Sequence, residues 1–196
     1  TRARAAAATG ADGVVHVGNS SHLITIGGVR VLTDPWKSDV ADYVLHHSVA
    51  PAAIPRDVDV VLITHEHDDH FDPSALADVD KRATIVVPTW LEARAKPLGF
   101  AHVIAMKAGD VVRDVRGPKG ALRSIEAVRA LHDVDEIAYR FDAGSGEHAR
   151  AVFFGGDTLP TREIEALAIR APVDLAVLPA DAGSLLGKRW VMNPSE

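Results

Sequence analysis

The chain has 196 residues, of which 47% are hydrophobic, and a formal net charge of −6. This length fits one domain better than two, and this hydrophobic share excludes a disordered chain. The acidic balance argues against a nucleic-acid-binding surface, and the absence of cysteine excludes disulfides, thiolate metal ligands and a cysteine nucleophile.

The chain begins with an alanine-rich stretch, residues 1–12, which predicts a flexible tail before a single domain over 13–196. The four alanines at 5–8 are too few for the apolar core of a signal peptide, which spans about 7–15 residues. No apolar run approaches the ~18 residues of a membrane span. The lack of an initiator methionine leads us to expect a processed or cut N-terminus, and a cytoplasmic location is the default expectation.

Three short strands are predicted at the start of the domain, over 14–17, 23–26 and 29–32. Gly27-Gly28 lies between the last two, as a tight hairpin turn requires. Pro35 stops the pairing of the third strand. Residues 37–57 have no strong hydrophobic period and predict a long connection.

A buried strand is predicted over 57–63, because its residues are β-branched and nearly all apolar after the first few. This strand leads directly into a polar segment, His65–His70. Asp72-Pro73 then has the pattern of a helix cap followed by a first-turn proline.

A further strand and a helix are predicted after this segment. The strand spans 84–87, and Thr89–Glu92 is a capping-box pattern that predicts a helix ended by Pro97 and Gly99. The following stretch, 102–140, is rich in predicted strands. Its basic residues are interpreted as a solvated loop: Arg113, Arg116, Lys119 and Arg123.

The last part of the chain predicts a strand at 151–154, a helix over 163–169 and a strand over 173–178. Strands come in runs, and helices separate only some of them. This order predicts sheet layers covered by helices instead of a regular strand–helix alternation.

The segment His65-Glu66-His67-Asp68-Asp69-His70 places three imidazoles and several carboxylates at the mouth of the buried strand. These donors suit a borderline cation such as zinc, and a site without thiolates is typical of a catalytic centre. In a turn that leaves a strand, His65 and His67 can bind one ion while Asp69 and His70 turn towards a second position. The alternative is a polar surface loop that happens to contain three histidines.

This His-x-His-x-Asp-His motif after a strand resembles the signature of the metallo-β-lactamase superfamily. Three further segments resemble its branch of metal-dependent hydrolases, which includes ascorbate-6-phosphate lactonase and the N-acylphosphatidylethanolamine phospholipase D type enzymes: Leu32–Pro35, Phe153–Thr158 and Asp174–Pro179. The resemblance covers about residues 14–196. It implies an α/β (α+β) fold, the four-layer αββα sandwich, with two metal ions at one edge.

The resemblance also implies a set of metal ligands. Three histidines would hold the first metal ion, an aspartate and a histidine the second, and a further aspartate would bridge both. In that order the implied ligands are His65, His67, His132, Asp69, His70 and Asp157.

Several of these implied roles have alternatives. Asp157 follows two glycines, and Gly-Gly-Asp alone is only a turn. His102 and His148 compete with His132 for the third histidine ligand. Asp34 would hold a ligand histidine through its free ring nitrogen, but a strand-ending Asp-Pro turn explains Asp34 nearly as well.

Two positions depart from the family's pattern. The branch often has a histidine near the start, where this chain has Asn19. The family also supplies a last histidine, a ligand of the second metal ion, beyond a segment that resembles Val191–Glu196, where this chain ends. We therefore expect that the C-terminal part of the domain is missing, that another chain supplies this ligand, or that the second site is weak.

The implied function is that of a di-zinc hydrolase, in which metal-bound hydroxide oriented by Asp69 cleaves an ester, lactone or phosphodiester bond. The expected cofactor is Zn²⁺ in one or two sites, with Mn²⁺ or iron as alternatives. The expected partner is a small-molecule substrate and not a nucleic acid, and the oligomeric state stays open. Trp36, Trp90 and Trp190 either line a pocket or fill the core.

Two other functions stay open at this point. One is a non-catalytic binding protein on the same fold. The other is an iron-dependent oxidoreductase, although the di-iron relatives carry a glutamate where this chain has His67.

Overall fold

The computed structural model describes residues 11–38, 50–179, 184–185, 188–189 and 192. Most of the predicted tail, a large part of the predicted connection over 37–57, Trp190 and nearly all of the terminal segment lie outside these described residues. In the described part of the chain, no helix combines the length and the apolar character needed to cross a membrane.

Six strands form the first sheet: β1 (Gly13–Gly18), β2 (Ser21–Ile26), β3 (Val29–Thr33), β4 (Val60–Leu62), β5 (Thr84–Pro88) and β6 (His102–Met106). Strands β1 to β3 are antiparallel, and β3 to β6 run parallel to one another. The predicted hairpin turn between β2 and β3 is confirmed, since Gly27 and Gly28 both have positive φ.

Five strands form the second sheet: β7 (Val111–Arg116), β8 (Ala121–Arg129), β9 (Ile137–Ala143), β10 (Arg150–Phe154) and β11 (Leu175–Val177). Strands β7 to β10 are antiparallel, and β11 runs parallel to β10. Two short strands, β12 (Ser184–Leu185) and β13 (Lys188–Arg189), pair with each other.

The helices are short and lie between strands: α1 (Pro73–Asp78), α2 (Glu92–Ala95) and α3 (Arg162–Arg170). The predicted cap of α1 is confirmed, because the Asp72 side chain accepts hydrogen bonds from two backbone N–H groups of the first turn and Pro73 begins the helix. Thr161 caps α3 in the same way. One-turn 3₁₀ helices span Thr89–Leu91, Lys96–Leu98 and Gly146–His148.

The capping-box prediction at Thr89–Glu92 is wrong. Thr89 already lies inside a 3₁₀ turn that starts directly after β5, and neither this turn nor α2 has a side-chain cap. Thr89 therefore does not hold the extended conformation of a residue that precedes a helix. Gly99 does end the helical segment, with φ at 81°.

The interpretation of the basic stretch as a loop is also wrong. Arg113 and Arg116 lie on β7 and Arg123 lies on β8, so that only Lys119 is in the turn between these strands. The strands form because buried Val115 and the apolar residues of β8 alternate with these exposed basic side chains.

Because successive side chains of each strand point to opposite faces of its sheet, the hydrophobic core has three layers. Residues between the two sheets include Val31 and Leu62 from the first sheet and Ile125, Tyr139 and Phe141 from the second. The outer face of the first sheet packs against the segments around α1 and α2, through residues such as Leu76 and Leu91. The outer face of the second sheet packs against α3 through Leu167. The predicted αββα sandwich is confirmed.

Opposite ends of β4 attach to the second sheet. Before β4, buried Asp59 accepts hydrogen bonds from Lys119 N at 2.7 Å and Gly120 N at 2.9 Å, in the turn between β7 and β8. After β4, Tyr139 Oη donates to Ile63 O at 2.6 Å. The loop that follows β4 is therefore fixed against both sheets at one edge of the sandwich.

Candidate metal centre

The segment that carries the histidine motif leaves the carboxyl end of β4 and makes a tight turn. His70 N and Phe71 N both donate to His67 O, at 2.9 and 2.8 Å. This turn folds the segment back on itself, so that His65, His67 and His70 face the end of the second sheet. Glu66 and Asp68 are more exposed than these histidines.

Three histidines form a first group, in which the ligand atoms lie within 4.8 Å of one another: His65, His67 and His132. His65 Nε2 is 3.0 Å from His67 Nδ1. The His132 ring lies 5.0 and 5.2 Å from the other two rings, centroid to centroid. These histidines come from both sheets, because His132 follows β8.

A second group combines His65 with His70 and Asp157, again with ligand atoms within 4.8 Å of one another. Asp157 Oδ2 is 3.4 Å from His70 Nε2. Asp157 follows β10 and a pair of glycines. Gly156 has φ at 64°, and a Cβ there would come within 2.2 Å of Glu136 Oε1, so the close approach of the chain requires glycine.

Asp34 orients the His70 ring through a hydrogen bond to its Nδ1. Its Oδ2 lies 2.8 Å from His70 Nδ1 and accepts from Thr64 Oγ1 at 2.7 Å, while its Oδ1 accepts from Thr64 N at 2.9 Å. Asp34 is fully buried and has φ at 35°, a left-handed conformation that aspartate tolerates. This arrangement leaves His70 Nε2 directed towards Asp157.

Glu136 contacts both ligand groups and carries no signal in the sequence that predicts this role. It precedes β9 and is buried, and its Oε1 accepts from Asp157 N at 2.8 Å and lies 3.1 Å from His65 Nδ1. Thr64 Oγ1 also lies 3.0 Å from that nitrogen and gives its own hydrogen to Asp34. His65 Nδ1 therefore faces two acceptors, which places its proton on Nδ1 and leaves Nε2 with a lone pair.

Asp69 lies outside both groups of converging ligand atoms. Its side chain is 50% exposed, and its Oδ2 is 3.7 Å from His70 Nε2. Asn19 Nδ2 donates to the same oxygen at 3.0 Å. The asparagine at the position that departs from the family's pattern thus contacts a residue of the motif, across 50 positions of sequence.

The competing histidines and the tryptophans lie elsewhere or at the rim. His102 starts β6 and His148 lies in a 3₁₀ turn, and both are exposed and outside the two groups. Trp36 is buried. Trp90 lines a cavity of about 380 Å³ together with His132 of the first group and residues near it in the chain: Arg129, Leu131, Asp135 and Glu136.

Burial and neighbouring charges shift the pKa values at the centre. Burial, with the charge of His70, lowers the pKa of His65 to about 3, which keeps its imidazole neutral. Burial raises the pKa of Glu136 to about 8. Burial alone would lower the pKa of His70, but the carboxylates of Asp34 and Asp157 raise it well above its usual value.

Asp157 shows the opposite balance. Burial alone would raise the pKa of its carboxyl group, but His70 and the neighbouring imidazoles lower this pKa to about 2. An ionised carboxylate and a neutral imidazole with a free lone pair are the forms that bind a divalent cation.

Residues 14–194 match the family model described as the Beta-lactamase superfamily domain. The chain belongs to this superfamily. The match spans both sheets and every residue of the two ligand groups, and the resemblance drawn from the motif is confirmed.

Relatives of this superfamily member extend the comparison. The chain is 31% identical over 199 aligned residues to the uncharacterized protein Rv0906 of Mycobacterium tuberculosis, covering 91% of this chain and 51% of the relative. The chain thus spans about half the length of this curated relative. It is 27% identical to the UPF0173 metal-dependent hydrolase PAE2160 of Pyrobaculum aerophilum, covering 91% of this chain and 73% of the relative.

A solved structure shares the fold. The possible metal-dependent hydrolase from Veillonella parvula superposes with a TM-score of 0.70 at 18% identity, covering 93% of this chain and 77% of that chain. At this identity the likeness concerns the fold, and the chemistry has to be argued from the residues of this chain.

Proposed function

We propose that this member of the beta-lactamase superfamily is a metal-dependent hydrolase with its metal centre after β4. The observation that carries the proposal is the meeting of two ligand groups, which share His65 at one edge of the sandwich. Relatives named metal-dependent hydrolases support the same class of activity. Imidazole and carboxylate donors without thiolates favour zinc, with Mn²⁺ or iron as alternatives.

In this proposal six side chains hold two cations. His65, His67 and His132 would hold one cation, Asp69 and His70 would hold the other, and the carboxylate of Asp157 would contribute to both. The donors fit a cation because His65 presents an unprotonated Nε2. In addition, His70 Nε2 is buried and has no hydrogen bond of good geometry among the described residues.

The reaction is hydrolysis of an ester, lactone or phosphodiester bond. A bound divalent cation lowers the pKa of water and polarises the attacked carbonyl or phosphoryl group. Asp69 is exposed enough to reach the attacking water, and Asn19 fixes its carboxylate. Water oxygen would form the bond to carbon or phosphorus and give its proton to Asp69. The bond to the leaving oxygen would break as that oxygen takes this proton from Asp69.

The substrate would enter beside the first group. The cavity there has an apolar side at Trp90 and Leu131 and a positive side chain at Arg129. This lining fits a small molecule with an apolar part and an anionic or strongly polar part. Leu131 N donates to Thr158 Oγ1 at 2.9 Å, which fixes this wall to the loop that carries Asp157.

The test compares metal content and hydrolysis in wild type and two variants. His67→Ala removes a partly exposed ligand, and His102→Ala is the matched control because His102 is exposed on β6. We expect wild type and His102→Ala to retain zinc, detected by elemental analysis and by anomalous scattering at the zinc edge. We expect His67→Ala to lose metal and at least a hundredfold in kcat/KM on ester, lactone and phosphodiester substrates.

Two outcomes would contradict the proposal. In the first, wild type binds no divalent cation under any loading condition. In the second, His67→Ala keeps the folded circular dichroism spectrum and the full hydrolytic activity of wild type.

A further inference from the structure

Two histidines outside the metal centre lie next to each other on β1 and β2. His16 and His22 are directly opposite in the antiparallel register of these strands, so their side chains share one face of the sheet. This is the face turned towards the second sheet, because Ile24 and Ile26, which alternate with it along β2, lie in the core between the sheets. The proposed function does not use this pair of imidazoles.

Backbone carbonyl groups of the turn between the two strands fix the tautomer of each ring. His16 Nε2 lies 2.7 Å from Asn19 O, and His22 Nδ1 lies 3.0 Å from Ser20 O. A carbonyl oxygen can only accept, so each of these two nitrogens carries the proton. The lone pairs are then on His16 Nδ1 and His22 Nε2, which no hydrogen bond engages in the described part of the chain.

Metal-binding histidines have this arrangement, because a hydrogen bond from one ring nitrogen to a backbone carbonyl orients the other nitrogen towards the ion. The spacing of the rings agrees with it. The centroids of His16 and His22 are 5.0 Å apart, and those within the first ligand group are 4.7, 5.0 and 5.2 Å apart. Burial also lowers the pKa of His22, which favours the neutral imidazole that binds metals.

We propose that His16 and His22 bind one divalent transition-metal ion in a site of their own, the β1–β2 site, apart from the metal centre after β4. Imidazole ligands suit Zn²⁺, Ni²⁺ and Cu²⁺, and water would complete the coordination shell. Among the described residues, no group of three converging ligand atoms includes either histidine. With two protein ligands, the β1–β2 site binds a cation more weakly than the metal centre does.

The turn between the two histidines connects the β1–β2 site to the metal centre. Asn19, whose carbonyl oxygen accepts from His16, donates through Nδ2 to Asp69 Oδ2 at 3.0 Å. An ion bound by both histidines would hold β1 and β2 together beside this turn and so stabilise Asn19 against Asp69. This consequence for Asp69 rests on the proposed function, whereas metal binding by His16 and His22 does not.

The competing role for the two rings is packing alone. The His22 ring lies 6.2 Å from the Phe154 ring, centroid to centroid, in an edge-to-face arrangement. Such contacts between rings stabilise a fold without any ligand. Loss of His16 affects packing in either case, but only a metal site also loses a bound ion.

The experiment titrates zinc-loaded, dialysed protein with Ni²⁺, in wild type, His16→Asn and the matched control His102→Asn. His16 and His102 are both exposed histidines on strands, so each variant removes one surface imidazole. Calorimetry measures the affinity for Ni²⁺, and anomalous scattering at the nickel edge locates the ion in crystals. We expect one Ni²⁺ between His16 and His22 in wild type and His102→Asn, and at least tenfold weaker binding in His16→Asn.

Three outcomes would overturn the inference: no Ni²⁺ located at these two histidines in wild type, equal affinity in wild type and His16→Asn, or equal losses in His16→Asn and His102→Asn. The last would show nonspecific binding to surface imidazoles. A protein that retains no zinc in the loading step but binds Ni²⁺ at His16 and His22 would refute the proposed function and support the β1–β2 site.

Discussion

Two buried carboxylates connect the sheets at opposite ends of β4, and they differ in how well they are satisfied. Asp59 accepts three backbone N–H groups, from Arg30, Lys119 and Gly120. Glu136 accepts one, from Asp157, and its Oε2 has no hydrogen bond among the described residues. The carboxylate of Asp59 is satisfied by hydrogen bonds within the protein, whereas Glu136 has a carboxyl oxygen without a hydrogen bond beside the metal ligands.

This difference separates a structural role from a functional one. A fully satisfied carboxylate stabilises the fold, because every buried donor around it is paired. A partly satisfied one destabilises the metal-free protein, but it can orient a histidine ligand of the metal. The comparison predicts that substitutions at Asp59 and Glu136 affect different measurements.

The largest loss of stability from a single substitution is expected for Asp59→Ala. The substitution removes the acceptor of three backbone N–H groups in partly buried hydrogen bonds, and we expect the free energy of unfolding to fall by about 3 kcal/mol. Urea denaturation measures the change. A loss below about 0.5 kcal/mol would show that water replaces the carboxylate and would break the comparison.

A pH dependence is expected for the metal-free protein because burial raises the pKa of Glu136 to about 8 from 4.5. The native state then holds the Glu136 proton where the unfolded state has released it. The contribution of the Glu136 proton to the free energy of unfolding is therefore fully present below pH 4.5. It is lost as pH rises towards 8, at up to about 1.4 kcal/mol per pH unit.

Glu136→Gln isolates this term, since it removes the titrating group and keeps the side-chain shape. Thermal unfolding in the presence of a chelator, compared between the two proteins across this range, measures it. Parallel stability curves for wild type and variant would contradict a raised pKa.

Glu136→Gln is expected to have a smaller effect, which is on the affinity of the protein for metal. The amide oxygen can still accept from Asp157 N, but it is a weaker acceptor for His65 Nδ1 than a carboxylate. We expect at least tenfold weaker zinc affinity, about 1.4 kcal/mol, by chelator competition. Unchanged affinity would mean that Thr64 alone orients His65, and Asp59→Asn serves as the control that should keep wild-type affinity.

The sequence could predict what local pattern determines. The apolar run before Thr64 gave a buried strand, and the motif placed three histidines at its end. Asp72-Pro73 predicted the start of α1 because a cap is a contact between residues two or three apart.

The sequence could not predict contacts that depend on how the sheets pack. Glu136 beside the second sheet meets His65 at the end of β4 in the first sheet, and Asn19 meets Asp69 across 50 positions, so no local pattern indicates either pair. The stretch 102–140 predicted strands, but the charged residues on the solvent face of β7 and β8 led to the interpretation of this part as a loop. The ligands of the metal centre can thus be predicted from a sequence motif, whereas the residues that orient them can be identified only in the folded structure.

His65 belongs to both ligand groups, and its ring is fixed on one side by Glu136 from the second sheet. A cation bound by both His65 and His132 would therefore link the two sheets of the sandwich. Removing the cation would first weaken the contact between the sheets at this end of β4, while the hydrogen bonds of Asp59 at the other end persist. Amide hydrogen exchange around Leu131 and Thr64 should then speed up on demetallation well before the molecule unfolds.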